Sequence, residues 1–257
     1  MTKKEELFRH FRMEERVLVD RVLDWMEQSS RRYQTVLTPF LNPREQKITE
    51  TLVRRAPDLN LSFDGGFPDS ERCRGRIDPP FIQSEEDHGL SFLYVKAHQT
   101  LRHPDVLGSL LGLGIKREAL GDILSIADGC QLILAEEMED FIRSQLNKVG
   151  NIPVQVTQLK RSDIIVPDRK TEDVTVSVAS MRVDAIASEA FRLSRNKTVP
   201  MIRNGKCQVN WRITDNPAEL AEEGDTLSLR GYGRVMIGEI QGRSKKGRLQ
   251  LKIVRYI

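Results

Sequence analysis

The chain has 257 residues, with 40 Lys+Arg against 37 Asp+Glu, 30% charged and 39% apolar side chains, and 6% aromatics. These proportions exclude a disordered or collagen-like chain and suit a globular protein long enough for two or three small cores. The formal net charge of +3 hides an asymmetry, because residues 181–257 hold 15 basic and 8 acidic groups while the other 180 residues hold 25 and 29. Screening limits each charge to roughly 10 Å, so the basic third signals contact with nucleic acid or another anionic surface.

Cys73, Cys130 and Cys207 stand far apart, with no Cys-x-x-Cys pair and no histidine at metal-ligand spacing, so no disulfide framework, metal site or cofactor is expected. The chain begins with Lys3, Lys4, Glu5 and Glu6 rather than an apolar signal core. Its longest apolar stretch, around Val106–Ile115, is glycine-rich and short of the roughly 20 residues a membrane span needs. The expectation is a reduced, cytoplasmic monomer with no membrane contact.

In chain order, Leu7, Phe11, Leu18, Val22 and Trp25 recur at helical steps and predict one amphipathic helix from Lys3 to about Gln28. Such a stripe is core more often than interface. Pro39 and Pro43 interrupt the next stretch, and Asn42-Pro43-Arg44-Glu45 reads as a second helix start, running to about Arg55. Short strands are expected at Leu59–Phe63 and Arg72–Ile77, joined through Asp64-Gly65-Gly66.

The middle segment reads as strand (Phe92–Val95), helix (Pro104–Leu113), strand (Ile123–Ile126), a tight turn at Asp128-Gly129, strand (Gln131–Ala135), helix (Glu137–Lys148) and strand (Val154–Val156). That order is the split βαβ arrangement of ferredoxin-like folds, shared by RNA-recognition modules. Its strands offer only Phe92 and Tyr94 for base stacking, so it reads as a scaffold. Residues 157–181 are polar and connecting, although Val174–Val178 alternates as a strand does.

From Met181 the residues become specific. Arg182-Val183-Asp184 opens a helix carrying Ile186, Ala190 and Phe191. Ser194-Arg195-Asn196-Lys197 opens a second, which Arg203-Asn204-Gly205-Lys206 ends at a glycine suited to the left-handed cap. Strands follow at Cys207–Asn210 and Gly224–Gly231. Arg195 and Lys197 sit in a first helical turn, where cations are disfavoured by roughly 0.3 to 1 kcal/mol unless an anion binds there. A phosphate would use the exposed N–H groups, the dipole and both cations together. Farther on, Gly242-Arg243-Ser244-Lys245-Lys246-Gly247-Arg248 forms a basic loop between strands Val235–Ile240 and Leu249–Val254.

The stretch carrying Arg182, Asp184, Ser194-Arg195, Lys197, Ile202, Gly205, Val209-Asn210 and Gly224-Asp225 resembles the RNA-binding domain first described in ribosomal protein S-four. The resemblance implies that Arg182, Arg195, Lys197, Arg203 and Lys206 contact phosphates and that Asp184 orients Arg182. Ser194, Asn196, Asn210, Trp211, Arg243, Lys245, Lys246 and Arg248 complete the expected RNA-binding set. Two departures are Pro200 inside the second helix, and Trp211 where the family places glycine after Val-Asn.

The whole layout, with Gly112-Leu113-Gly114-Ile115-Lys116-Arg117-Glu118 and Gly121-Asp122-Ile123 in the middle domain, resembles the bacterial YlmH family. The expected fold is multidomain α+β: an N-terminal α+β domain over 1–78, a ferredoxin-like (RRM-like) domain over 79–165, a linker over 166–180 and the S-four-type module over 181–257. The resemblance implies a non-catalytic protein that binds rRNA and tRNA on the large ribosomal subunit, in quality control of stalled peptidyl-tRNA. Two alternatives stand beside it. Gly75-Arg76-Ile77-Asp78 resembles the catalytic motif of RNA pseudouridine synthases, with Asp78 as the acid, but Pro79-Pro80-Phe81 follows where that family has a turn and strand; a surface ion pair or a strand end is the competing role. The other alternative is a protein-binding adaptor using the N-terminal helices, which exposure of Phe8, Phe11 and Trp25 would favour. His10, His88, His98, His103, Ser70 and Ser84 form no catalytic constellation.

Overall fold

The computed structural model describes residues 7–9, 11–82, 87–168, 171–245 and 247–256. The chain forms two compact units, residues 1–167 and 168–257.

In the first unit, helix α1 (Arg16–Arg32) begins later and ends later than the apolar periodicity predicts, after a short 3-10 turn at Met13–Glu15. The reason is Glu15: its carboxylate accepts the Arg12 amide (3.1 Å) and pairs with Arg44 (2.8 Å), which fixes the start of the helix there. The first residues of the expected helix, and His10, lie outside the described residues. Phe8, Phe11 and Trp25 pack against the buried Val19, Val22, Ile48 and Leu52. Helix α2 (Pro43–Val53) starts as its sequence dictates. The Asn42 side chain accepts from the amides of Arg44 and Glu45 (3.0 Å each), and Glu45 returns a bond to the Asn42 amide (2.7 Å).

Three strands, β1 (Val36–Leu41), β2 (Asn60–Asp64) and β3 (Cys73–Asp78), form an antiparallel sheet in the order β1-β3-β2. Strand β1 was not legible because Pro39 reads as a breaker. It is tolerated since β1 is an edge strand whose register shifts between Leu37 and Phe40.

The middle domain has strands β4 (Leu90–Lys96), β5 (Leu120–Ile126) and β6 (Gly129–Ala135), with helices α3 (His103–Gly112) and α4 (Glu139–Gln145). A two-residue pair, β7 (Lys148–Val149) and β8 (Ile152–Pro153), precedes the last strand, β9 (Gln155–Gln158). The antiparallel order β5-β6-β4-β9 is that of a ferredoxin-like sheet. On one face Leu93, Val95, Cys130, Leu132 and Leu134 pack with Val106, Leu110 and Ile142 of the helices. The opposite face, where RNA-recognition modules stack bases, is covered. Phe92, Leu124 and Ile133 pack with Phe40, and Phe67, Leu159 and Ile164 close over them. Gly66 makes this approach possible: at φ +94° it sits so close that a Cβ would lie 2.6 Å from the Phe92 ring. Tyr94 is tied to the Asp128 carboxylate (2.5 Å), which pushes its phenol up to about 12.

The N-terminal and middle domains are thus fused by a shared core and by polar ties. Asp122 accepts the amides of Glu71 (2.7 Å) and Arg72 (3.1 Å), and Arg74 reaches Glu137 (2.9 Å). The Gly121-Asp122 motif therefore holds the domains together.

The second unit begins with β10 (Thr171–Val178), followed by helices α5 (Val183–Ala190) and α6 (Arg195–Arg203). Strands β11 (Cys207–Val209), β12 (Arg212–Thr214), β13 (Thr226–Leu229), β14 (Gly233–Arg243) and β15 (Leu249–Tyr256) complete it. The six strands form one sheet in the order β10-β15-β14-β13-β11-β12. Residues 171–178, expected within a linker, pair along their whole length with β15. Their alternation signalled this: Val176 and Val178 enter the core with Val183, Ile186, Ile202, Leu227, Leu251 and Ile253.

Candidate nucleic-acid interface

The two helix starts of the second unit have the same capping geometry but opposite electrostatic fates. At α5 the amides of Val183 and Asp184 donate to the carbonyls of Glu219 (2.9 Å) and Pro217 (3.0 Å), so that end is occupied by protein. Arg182 lies at its N-cap and grips Asp184 through two parallel bonds of 3.0 Å. Burial alone would raise the Asp184 carboxyl, but the bonds and charge of Arg182, with the charge of Arg195, hold it below the ordinary aspartate range. The three residues are therefore electrostatically one group, with Arg182 half-exposed and Asp184 beneath it.

At α6 no group among the described residues closes the end. Ser194 is at the N-cap, and its carbonyl accepts from Lys197 and Thr198 (3.0 Å each), but its hydroxyl makes no capping bond. Among the described residues no acceptor takes the amides of Arg195 and Asn196, and the first turn contains no acidic side chain. Ser194, Arg195, Asn196 and Lys197 are all exposed. The helix starts directly after Ser194 and accommodates Pro200 within it, losing only the bond that residue cannot donate. At 100° per residue, Asn196, Lys197, Pro200 and Arg203 share an arc of about 120° opposite the buried Thr198 and Ile202. Gly205, at φ +66°, ends the helix as its sequence predicts, with Lys206 donating to Met201 (3.0 Å). Arg203 and Lys206 are exposed beside that end.

Other members of the expected set are hydrogen-bonded within the protein. Asn210 donates to Asp225 (2.6 Å) and accepts from the Thr226 amide (2.8 Å), so its side-chain amide is occupied at both ends. Asp225 in turn accepts the Glu222 amide (2.7 Å). The Val209-Asn210 and Gly224-Asp225 pairs of the motif are one latch across the sheet. Arg248 is similarly held, by Ser177 and by Glu189 (2.9 Å). Arg243 and Lys245 are exposed, and Lys246 lies outside the described residues. This loop is at the far end of β14 from α6, about 30 Å along a strand rising ~3.3 Å per residue. The basic third therefore presents two separate places, of which the helical one is the more densely built.

Trp211 occupies the second position of a two-residue turn in which Asn210 and Trp211 have φ of 50° and 61°. This is the left-handed region that glycine prefers. Its ring lies under the Arg234 guanidinium, 5.0 Å from the centroid, and is half-buried. Three residues escaped the sequence reading: Arg234; Tyr232, whose ring lies 5.2 Å from the Lys197 ammonium; and Arg192, in the left-handed region at φ 53° just past α5. The signal available was Gly231-Tyr232-Gly233, an aromatic on a turn tip.

The residues of the alternative, catalytic reading are bound to one another and to their neighbours. Arg76 pairs with Asp78 (2.8 Å) and donates to the Asp87 carbonyl, and Thr35 donates to Asp78 (2.5 Å). The pair sits at the end of β3, a strand end as expected, with the Arg76 side chain buried at 5% exposed and Asp78 half-buried, so it is not a surface pair. Among the described residues no cluster of three metal-ligating side chains occurs, and no helix is long and apolar enough to cross a membrane.

Two family models match the chain, one described as "YlmH, N-terminal" over residues 14–82 and one as "Putative RNA-binding domain in YlmH" over residues 84–163. The chain is 34% identical over 254 residues to the ribosome-associated protein quality control protein P2 of Bacillus subtilis (strain 168), covering 97% of this chain and 98% of that protein. A solved structure, the cell division protein ylmH from Streptococcus pneumoniae, superposes with a TM-score of 0.55 at 28% identity, covering 61% of this chain and 97% of that one.

Proposed function

The chain belongs to the YlmH family, and from that premise we propose that it is a non-catalytic RNA-binding protein whose second unit grips structured RNA by its phosphates. The observation that carries this reading is the start of α6: two unclaimed amides and the positive end of the helix dipole, with Arg195 and Lys197 in the same turn and no acidic side chain there. Arg182, preset by Asp184, lies within the same electrostatic neighbourhood, and Arg203 and Lys206 extend it. Such groups position a backbone without reading its sequence, which suits a folded RNA recognised by shape.

The target we propose is rRNA and tRNA on the large ribosomal subunit, with the protein acting where a stalled chain remains attached to tRNA. The name of the Bacillus subtilis relative supports the ribosome-associated part of this reading. The RNA-binding description attached to residues 84–163 supports RNA as ligand, but the stacking face of that sheet is filled by Phe40 and Phe67. Any RNA contact of the middle domain therefore uses a different surface.

Co-sedimentation with purified ribosomal subunits tests the proposal. The protein should pellet with the large subunit at low salt and be released as salt rises. Failure to pellet with either subunit, or pelleting indifferent to salt, contradicts it.

A further inference from the structure

The second unit carries a cleft of about 200 Å³ where the end of α5 meets the first residues of β14 and the last of β15. Its walls include Arg192, Tyr232, Arg234, Arg255 and Tyr256. Arg255 is fixed there by two bonds to the Ala190 carbonyl (2.8 and 3.1 Å). The volume is below the ~300–1,000 Å³ of ordinary small-molecule pockets and suits a single ring system.

Two details single this cleft out. Arg192 stands at the position after a helix end where the left-handed conformation favours glycine, and Leu193 donating to Ser188 (2.8 Å) completes the cap that glycine would serve. Trp211 also holds a left-handed conformation, at a turn where glycine is the usual residue, and its ring lies under Arg234. Two residues thus keep a strained backbone while one lines the cleft and the other supports its wall. Strain of this kind collects at binding sites. The cleft also neighbours the start of α6, since Tyr232, which lines it, has its ring 5.2 Å from the Lys197 ammonium.

We propose that this cleft receives the base of one unpaired nucleotide of the bound RNA. The inference rests on the phosphate-binding reading and deepens it. A nucleotide joins a flat aromatic ring to an anion, and here an aromatic and guanidinium-walled slot adjoins a cationic helix start. The phosphate lies toward Lys197, and the base enters beside Arg234 and the exposed Tyr232, the aromatic group on which it would stack.

The test uses the full chain and two probes, a short RNA duplex with one bulged adenosine and the same duplex without it. The wild type is expected to prefer the bulged duplex roughly 10-fold, within the range of one base–aromatic stack. Tyr232→Leu and Arg192→Gly should bring that ratio near one, and Arg192→Gly should not lower the melting temperature because it relieves the backbone. A wild type that binds both duplexes equally, or folded variants that retain the preference, overturns the cleft while leaving the phosphate reading intact. Binding of neither duplex overturns both. Adenosine 5′-monophosphate is the control for a free-nucleotide site: Tyr232-dependent binding of it without any preference for the bulge would assign the cleft to free nucleotides and overturn the proposal.

Discussion

Reversing the charge at the start of α6 separates folding from binding. The double substitution Arg195→Glu and Lys197→Glu replaces two exposed cations at the positive end of a helix dipole by two anions. Each change gains about 0.3–1 kcal/mol from the removed repulsion and a similar amount from the new attraction. Against this stand the loss of Arg195's field on Asp184 and of the Lys197–Tyr232 contact, the latter about 0.5–1 kcal/mol. Together the gains come to about 1–4 kcal/mol and offset these losses, so the double variant should melt no lower than the wild type. RNA binding should move far more. Two lost phosphate contacts lower the slope of log K against log salt by about 1.8 for a duplex-like RNA, before any repulsion by the new carboxylates. The assay is fluorescence anisotropy of a labelled RNA hairpin across a salt series, beside a thermal melt of the same preparation. A folded double variant with unchanged affinity and unchanged slope would refute the site.

Three further outcomes are expected. Asn210→Ala removes the latch to Asp225 and Thr226, and should destabilise the second unit by about 1–3 kcal/mol. The salt slope of RNA binding should stay the same, and an unchanged melting temperature would show that the latch carries no weight. Asp184 has its carboxyl held below its ordinary value of 3.8, so its contribution to stability is present above that pH and lost as pH falls through the lower, folded-state value. Asp184→Asn should therefore reduce stability at neutral pH and flatten the acid limb of a stability–pH curve; parallel curves for variant and wild type count against the Arg182–Asp184 pair. Burial pushes the thiols of Cys130 and Cys207 up to about 12, so neither should react with a thiol reagent at neutral pH until the protein unfolds. Rapid labelling of either in the native protein would place it outside the core.

What the sequence made legible was local in origin. Asn42, Pro43 and Glu45 specify the start of α2 among themselves, Gly205 specifies the end of α6, and the βαββαβ order of the middle domain follows from successive periodicities. What it hid depends on distant partners. Pro39 looks like a breaker until β1 is known to be an edge strand. Arg248 reads as a loop cation placed for phosphate, and only the fold shows that Ser177 and Glu189, 71 and 59 residues away, bond it. Asn210 belongs to a motif that accompanies RNA binding, and only the fold shows that its side chain bonds Asp225 and the Thr226 amide. The middle sheet's aromatic face was judged by counting aromatics, whereas Phe40 and Phe67 from the N-terminal domain decide its availability. Arg192, Tyr232 and Arg234 come from separate stretches, so only the fold brings them together.

The central claim is that RNA is held by the second unit, through the start of α6, and not by the sheet face of the middle domain. Ultraviolet crosslinking of the full-length protein to RNA in cells, with the crosslinked peptides mapped by mass spectrometry, puts that claim to the test directly. Crosslinks should concentrate on residues 182–206 and on the turns carrying Trp211 and Tyr232, and should disappear from the α6 start in the Arg195→Glu, Lys197→Glu protein. Crosslinks confined to residues 84–163, unchanged by that double substitution, would contradict the account.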